Sequence, residues 1–402
     1  MYQVGNVKKQ ILKLRQFRKD GINEVGCMVV DDNDVPIDHI CRYTLIELSG
    51  ANSTQANITR HVIHIERWAQ NHGVDLEDEV VLGGLARGEF FTSFIRHLER
   101  YSDQTGVVVT IETVEPEYFN QRIEAAVDYF DYLVHRAIAR RRIGDPNILH
   151  ITKLAEKLKA RLQKLKRPVT KSSQVHGLSL LLQSSLYQGL RDPKYFGWNR
   201  NTALRNKLIC RIFYETGIRR GELLSLTIEN CRTGKLNPGE RPYIHTQENV
   251  RYDDPRTDVP HNKTRNRIIP ISNSLADLIE EYKKIRNKPE AARKQPPFLI
   301  LSGQHPYPPL STSALSSVFG TMRDRLPGLD QFGPHRLRHT FFENLDRMMH
   351  QKNYSDAEKK KIKNSIGGWS PKSRQSENYE KLATLEQATE ALSLFQSELE
   401  GI

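Results

Sequence analysis

Cysteine is scarce in this chain, and its spacing argues against two common kinds of site. The 402 residues include four cysteines, Cys27, Cys41, Cys210 and Cys231, and no two of them form a CxxC pair. Neither a disulfide framework nor a zinc site is therefore indicated. Scattered cysteines of this kind favour reduced thiols, as found in the cytosol.

Long apolar runs are also missing. The N-terminal segment MYQVGNVKKQILKLRQFRKD is basic but lacks the uninterrupted apolar core of a signal peptide. No later stretch offers the roughly 20 consecutive apolar residues that a membrane-spanning helix needs. The sequence shows no P-loop and no cluster of metal ligands. A cytoplasmic protein without a membrane partner is predicted.

Acidic residues are fewer than basic ones. The chain carries 60 Lys and Arg against 48 Asp and Glu, which gives a formal net charge of +12. Such an excess favours a polyanionic partner such as nucleic acid. With 38% hydrophobic residues, the chain is long enough to form two or three soluble domains.

The apolar pattern predicts two main domains behind an extended N-terminal arm at residues 1–48. Residues 49–145 carry three amphipathic helical patterns and are interpreted as an all-helical domain, which a basic helix extends to residue 166. A basic, proline-containing segment at 167–175 is interpreted as a linker. Residues 176–402 predict a second domain. The fold class expected for the whole chain is mainly α with a small antiparallel β-sheet.

Within the second domain, two short runs predict strands, Tyr243 to Thr246 and Arg267 to Ile271. They flank a long polar segment rich in turn residues, which favours a hairpin. The rest of the domain shows helical periodicity, including a helix that Pro334 would open.

Four short segments of this second domain carry side chains suited to phosphodiester chemistry. They are TGIRRGELLSL around Arg219, NKTRNRIIPI around Lys263, HRLRHT beginning at His335, and GGW…NY ending at Tyr379. Guanidinium is planar, always charged and bidentate toward phosphate. Arg219 precedes a predicted helix, whose N-terminal N–H groups add positive potential. His335 and Arg338 are three residues apart, so they share one helical face.

Each of these segments also has a plain structural interpretation. Arg219 could pair with Glu222 or Glu215 on a helix surface, and His335 could be a locally bonded helix-start histidine. HRLRHT is the stronger signal, because like-charge repulsion disfavours three basic side chains in one helical turn unless an anion binds there.

Lys263 is the predicted proton donor. It stands in a polar loop before the strand RIIPI, from which its ammonium could protonate a departing 5′ oxygen. Lys263, Arg265 and Arg267 could instead be ordinary contacts to backbone phosphates or exposed hairpin charges.

Tyr379 is the predicted nucleophile. A phenol has a pKa of about 10, so it needs a base and a cationic phosphate nearby. Tyr354 and Tyr282 are formal alternatives. Trp369 lies shortly before Tyr379 and offers an indole N–H to a phosphate oxygen, or it could be a buried anchor.

The four segments together resemble the tyrosine recombinases, the phage integrase family, in which DNA is cut and rejoined through a phosphotyrosyl bond. The family's first arginine lies in TGxRxxELL, matched by Arg219 with Glu222 as a supporting carboxylate. Its H-x-L-R-H-T box is matched letter for letter through His335, Arg338 and His339. The resemblance covers roughly residues 40 to 395.

The family's third box is a His or Trp in a glycine-containing turn, matched by Trp369, with the nucleophile following at Tyr379. The two lie ten residues apart (379 − 369 = 10), one more than the family pattern, so Gly368 is the alternative for the third-box position. The choice of Lys263 rests on the family's hairpin pattern, in which a basic residue precedes an apolar strand ending in proline.

The resemblance implies a site-specific recombinase. It implies a helical core-binding domain and a catalytic domain that clamp double-stranded DNA, a 3′-phosphotyrosyl intermediate, and no need for ATP or a metal. It also implies a tetramer on DNA. A C-terminal helical pattern carries Leu385, Ala388, Leu392 and Phe395 on one face, which could pack on its own domain or, as the resemblance implies, could dock into a neighbouring protomer. Such a protein is expected to associate with the nucleoid.

Two other functions remain open from the sequence. A metal-dependent nuclease or transposase would use carboxylates such as Asp253, Asp254 and Asp258. A catalytically inactive DNA-binding protein of the same fold would bind duplexes without forming a covalent adduct.

Overall fold

A computed structural model describes residues 11–18, 25–50, 52–102, 108–169, 177–192, 194–234, 237, 239–247, 254–256, 259–260, 265–369, 392–393 and 395–397. The chain divides into two compact units, Met1–Ser173 and Gln174–Ile402. This division falls inside the segment 167–175. The roles predicted for the two domains stay predictions.

Unit 1 combines helices with two antiparallel strand pairs. Its helices are α1 (Asp38–Arg42), α2 (Asn52–His72), α3 (Leu76–Val81), α4 (Gly88–Glu99), α5 (Pro116–Ala139) and α6 (Asn147–Gln163), and a π-helical turn follows α1 at Tyr43–Glu47. Its strands are β1 (Lys13–Arg18), β2 (Val25–Val30), β3 (Arg100–Ser102) and β4 (Val108–Thr113), paired β1 with β2 and β3 with β4.

The described part of the predicted arm is not extended but belongs to the core of unit 1. Strand β1 pairs with β2 in a register that sets Lys13 opposite Val30. Leu12, Val29 and Ile40 are buried with the apolar residues of α2 and α5. Strand β2 is a short apolar run, VGCMVV, in which Cys27, Val29 and Val30 are buried. Periodicity alone does not distinguish such a run from a buried helical segment.

The prediction of an all-helical domain at 49–145 is wrong in one place. Between α4 and α5 the chain forms strands β3 and β4, which pair antiparallel with a register shift. Residues 107–111 read VVVTI, a run of β-branched side chains that favours an extended backbone over a helix. The helices α2, α4 and α5 lie where the periodicity predicts them.

Unit 2 is mainly helical with one small sheet. Its helices are α7 (Leu180–Arg191), α8 (Arg200–Thr216), α9 (Arg220–Ser225), α10 (Asn273–Arg286), α11 (Glu290–Arg293), α12 (Thr312–Arg325), α13 (Pro334–Gln351) and α14 (Asp356–Gly367). Its strands β5 (Cys231–Arg232), β6 (Tyr243–Thr246) and β7 (Arg267–Pro270) pair antiparallel in the order β5-β6-β7. The predicted fold class, mainly helical with a small antiparallel sheet, is confirmed.

Helix α8 is the central element of unit 2. Its N-terminus is capped by the Asn199 side chain, which accepts a hydrogen bond from the Thr202 N–H. Its C-terminus is Gly217, at a left-handed φ of 60°. A Cβ at this position would come within 2.3 Å of the Phe341 ring on α13. Glycine is therefore required both for the turn and for the close approach of α13.

The described residues near the C-terminus pack on their own unit. Leu392 and Phe395 are buried in its core, and the Phe395 ring lies 5.8 Å from that of Phe341. The Gln396 side chain donates a hydrogen bond of 3.0 Å to the carbonyl of Pro270. Leu385 and Ala388 lie outside the described residues, and the predicted role of this segment in self-association stays a prediction.

Candidate active site

The first element of the site is the sharp turn between α8 and α9. Arg219 stands at the N-cap of α9, and its backbone N–H donates a hydrogen bond of 2.6 Å to the carboxylate of Glu222. Glu222 is buried, with 1% of its surface exposed. The carboxylate thus fixes the backbone from which the Arg219 side chain extends.

The second arginine comes from the first turns of α13. Arg338 is buried, and its guanidinium donates to the carbonyl oxygens of Gly217 and Gly367. The N–O distance to Gly367 is 3.1 Å, and the Arg219 guanidinium donates to the same oxygen at 3.1 Å. Two cations from separate helices therefore converge on one neutral carbonyl.

This convergence is electrostatically costly, and the buried Glu222 carboxylate offsets only part of the cost. Burial, followed by the positive charge of Arg219, lowers the pKa of Arg338 to about 9. Burial likewise lowers the pKa of Arg219. Both side chains remain protonated at neutral pH, and a phosphate placed between them would relieve their repulsion and complete their hydrogen bonding.

Trp369 forms one wall of the site. The chain leaves α14 through Gly368, whose left-handed φ of 63° turns the backbone. The indole ring then stacks on Phe342 at a centroid distance of 4.9 Å, and the Arg338 guanidinium carbon lies 5.3 Å from the indole centroid. Trp369 is 38% exposed, so it is not the buried anchor considered as its alternative.

Two histidines lie on the exposed side of α13. The Nε2 atoms of His335 and His339 are 3.1 Å apart, and their rings are perpendicular. The two residues are one helical turn apart, which is why both reach the same place. One ring can donate to the other, so His339 can orient His335.

These side chains surround one open cavity of about 500 Å³. Its lining combines the two converging arginines with the histidines and the aromatic wall: Arg219, Arg220, Pro334, His335, Arg338, His339, Phe342 and Trp369. Five residues predicted from the sequence, Arg219, His335, Arg338, His339 and Trp369, are brought together here.

Arg267 is a site residue whose structural importance the sequence analysis missed. Its guanidinium donates to both carboxylate oxygens of Glu222, at 2.6 and 3.1 Å, and to the carbonyl of Ile366. It also donates to the Thr246 hydroxyl on β6 at 3.1 Å. Arg267 therefore ties β7, β6, α9 and the end of α14 together behind the cavity. The sequence segment NKTRNRIIPI had drawn attention to Arg267 as a basic residue, but nothing in the sequence identifies Glu222 as its partner.

Two predicted residues, Lys263 and Tyr379, lie outside the described residues, so their predicted roles stay predictions. The formal alternatives to Tyr379 do not fit a nucleophile. Tyr282 is buried, and its hydroxyl accepts a hydrogen bond from the Leu301 N–H. Tyr354 is partly buried and packs on the core of unit 2.

Of the three carboxylates considered for a metal site, only Asp254 is among the described residues. Asp254 is buried and forms an ion pair of 2.7 Å with Arg256, whose guanidinium also donates to two main-chain carbonyls. That carboxylate is thereby committed to holding the segment in place. Asp253 and Asp258 lie outside the described residues. Within the described ranges, no group of three or more His, Cys, Asp or Glu is arranged to hold a metal ion.

Comparison with known proteins identifies the domain that carries this site. Residues 193–352 match the model of the phage integrase family, which confirms the family predicted from the sequence. No curated protein matches the chain. In the part of the chain that the structure describes, no helix is both long and apolar enough to cross a bilayer.

Two solved structures resemble the chain at low identity. One is the Tn1549 transposon integrase, residues 82–397, in complex with circular intermediate DNA, at 14% identity and a TM-score of 0.48, covering 87% of this chain and 98% of the other. The other is the XerH site-specific recombinase bound to difH substrate in a pre-cleavage complex, at 12% identity and a TM-score of 0.36, covering 87% and 94%.

Proposed function

We propose that this protein, whose residues 193–352 match the model of the phage integrase family, is a site-specific DNA recombinase that breaks and rejoins strands by transesterification. The observation that carries the proposal is the meeting of Arg219 and Arg338 at one carbonyl oxygen, beside a cavity that His335 and Trp369 also line. A phosphodiester is the group this arrangement suits, because it presents two anionic non-bridging oxygens to planar cationic donors.

The arginines would act on charge. In the transition state of phosphoryl transfer, negative charge is spread over the equatorial oxygens, and fixed donors aimed at them lower the barrier. Arg219 and Arg338 are held in advance, by the Glu222 turn and by two carbonyls respectively. Trp369 would add a neutral indole donor on the same side.

The covalent step would use residues that the sequence analysis assigned. The Tyr379 hydroxyl attacks phosphorus and forms the 3′-phosphotyrosyl bond while the bond to the 5′ oxygen breaks. His335 takes the phenolic proton, and Lys263 gives a proton to the departing 5′ oxygen. His339 orients His335. One ester replaces another of similar energy, so rejoining is the same reaction in reverse with a new 5′ hydroxyl.

Double-stranded DNA would be the partner, and exchange between two duplexes would need four protomers, each supplying one tyrosine. We propose a tetramer on DNA, associated with the nucleoid. Phe395 and Gln396 pack on their own unit in the single chain. Whether the C-terminal segment also links protomers is the question to test. Mass photometry should show tetramers only with cognate DNA; monomers on saturated paired sites would contradict the proposal.

The metal-dependent alternative is less well supported, because Asp254 is engaged by Arg256. The inactive alternative differs only in its chemistry. One experiment separates all three. The protein is incubated, in a chelator, with a pool of random-sequence nicked duplexes whose cleavage releases a short strand, and covalent adducts are captured under denaturing conditions.

A recombinase gives a DNA adduct that Tyr379→Phe abolishes and that the matched control Tyr354→Phe retains. A metal-dependent nuclease gives free ends only when a divalent ion is restored. An inactive binder retards duplexes but gives no adduct. Absence of any adduct from the wild-type protein in a pool that it demonstrably binds would end the recombinase proposal.

A further inference from the structure

Unit 1 contains a cationic cavity of its own, of about 420 Å³. Residues of β1, α2, β3 and α5 line it, and they include four cationic side chains, Lys13, Arg60, Arg67 and Arg122. Among the lining residues that the structure describes there is no aspartate or glutamate. Like charges gathered without a carboxylate are destabilising unless an anion joins them.

Arg122 is the most deeply placed of these cations. It is 5% exposed, and one terminal nitrogen donates to the carbonyls of Leu98 and Arg100, each at 2.7 Å. Its Nε, which is also buried, has no hydrogen-bond partner. Tyr118 is its other neighbour, through a side-chain hydrogen bond and through the ring. A buried guanidinium whose partners are neutral, in a cavity whose lining has no carboxylate, favours an anion beside it.

The pKa of His61, which lines the same cavity, is affected by the arginines as well as by burial. His61 lies in the cavity wall, and its pKa is lowered to about 4, first by burial and then by the charges of Arg122 and Arg60. The neutral ring packs edge to face against Tyr118, at a centroid distance of 5.1 Å. The wall therefore supplies positive charge from the arginines and apolar ring surface from the histidine.

Aromatic rings stand beside the cations. Tyr118 and Tyr101 line the cavity and remain 38% and 45% exposed. The guanidinium carbon of Arg122 lies 4.8 Å from the Tyr118 ring centroid. Exposed aromatic faces next to guanidinium groups suit a ligand that carries both a phosphate and a flat base. The volume falls in the range of about 300–1,000 Å³ that small-molecule sites occupy.

We propose that this cavity binds the phosphate of a nucleotide, with the base against Tyr118 or Tyr101, the nucleotide being either free or part of a DNA strand. The exposed guanidinium of Arg60 binds the phosphate, the buried Arg122 adds positive charge from the cavity wall, and Arg67 fixes that wall by donating to the Leu12 carbonyl at 2.9 Å.

Calorimetric titration of the full chain with AMP, at constant ionic strength, tests the site. We expect saturable binding of one AMP, with a dissociation constant below about 1 mM. Arg60 is exposed and can be removed without opening the core. Arg60→Ala should weaken AMP binding by about tenfold or more, the loss expected for one charge-assisted hydrogen bond.

Arg42→Ala is the matched control, because Arg42 is an exposed cation of unit 1 that pairs with Asp38 and does not line the cavity. This variant should bind AMP like the wild type. Tyr118→Leu should weaken AMP binding and leave the binding of inorganic phosphate unchanged. Loss of AMP binding in Arg60→Ala but not in Arg42→Ala assigns the binding to this cavity.

A competing duplex of unrelated sequence distinguishes the two sources of the phosphate. If DNA is the natural ligand, the duplex displaces AMP, and Arg60→Ala weakens duplex binding more than Arg42→Ala does. If the ligand is a free nucleotide, the duplex leaves AMP affinity unchanged. Two results would overturn the proposal: no saturable AMP binding, or equal affinity in the wild type and Arg60→Ala. Adduct formation through Tyr379 is measured separately and does not decide this question.

Discussion

The buried pair between Glu222 and Arg267 should hold the arginine turn in place, and removing one partner should be costly. The two side chains are 1% and 8% exposed, and two hydrogen bonds of 2.6 and 3.1 Å join them. Arg267→Met takes the ion pair and both of these hydrogen bonds away from the buried Glu222 carboxylate, and it takes the Arg267 donor away from the Ile366 carbonyl. Breaking a buried pair in this way costs about 3–5 kcal/mol of the free energy of unfolding.

The double variant tests whether the cost belongs to the pair. Glu222→Gln and Arg267→Met should each destabilise unit 2 by about 3–5 kcal/mol. The double variant should lose a similar amount rather than the sum, because neither member of the pair is then left without the other. The control is Lys363→Ala, which breaks the half-exposed pair with Asp346 in the same unit. Its cost should stay below about 1 kcal/mol.

Hydrogen exchange of peptides from α8 and α13 in increasing urea reports on unit 2 alone. With a denaturant slope of about 2–3 kcal/mol per molar, the single variants should lower the midpoint by about 1–2.5 M. Additive losses in the double variant, or a loss in Arg267→Met no larger than in Lys363→Ala, would refute the reasoning.

Three further predictions concern separate features. Gly217→Ala, which adds a left-handed alanine and a contact of 2.3 Å with Phe341, should destabilise unit 2 by roughly 2–4 kcal/mol in the same urea assay; an unchanged midpoint would contradict it. His61 and His97 are buried, and their pKa values are lowered to about 4. As the pH falls, these histidines therefore take up protons in the unfolded chain before they do so in the folded one. Unit 1 should lose stability between about pH 6.5 and pH 4, by roughly 1–2 kcal/mol per histidine at pH 5. His61→Gln should flatten that slope in exchange of α2 peptides, whereas an unaltered slope would exclude His61 as a cause. Trp369→Phe keeps the ring stack but loses the indole N–H, so adduct formation should slow by about tenfold or more with an unchanged urea midpoint; a full rate would remove Trp369 from the chemistry.

Local patterns predicted several helices of unit 1 and both the helices and the main strands of unit 2. The apolar spacing located α2 and α5, and Pro334 marked the first turn of α13. The strands β6 and β7 also lie where the β-branched and aromatic residues placed them. These signals are local, because the apolar residues that form the buried face of a helix or strand recur at a fixed spacing in the sequence.

Contacts between distant segments were harder to predict. The chemistry of Arg219 and Arg338 indicated a phosphate, but their shared acceptor is the Gly367 carbonyl, a main-chain atom that no side-chain pattern can indicate. Glu222 could have paired with any of several nearby arginines, and only the packing of β7 against α9 selects Arg267. The hairpin of β1 and β2 was missed because β1 is rich in basic residues and β2 is a short apolar run, so neither strand shows an alternating pattern.

The central claim is that Arg219 and Arg338 neutralise one scissile phosphate, and replacing that phosphate by an uncharged methylphosphonate tests it most directly. On an ordinary phosphodiester, Arg219→Ala and Arg338→Ala should each slow adduct formation by about 10²- to 10³-fold. On the methylphosphonate, which has lost one anionic oxygen, both variants should recover much of that loss. Arg336→Ala, a matched control on α13 outside the cavity lining, should keep the wild-type rate on the ordinary phosphodiester. Two results would show that the two arginines do not act on the phosphate. One is that neither Arg219→Ala nor Arg338→Ala recovers adduct formation on the methylphosphonate, and the other is that Arg336→Ala slows adduct formation on the phosphodiester as strongly as they do.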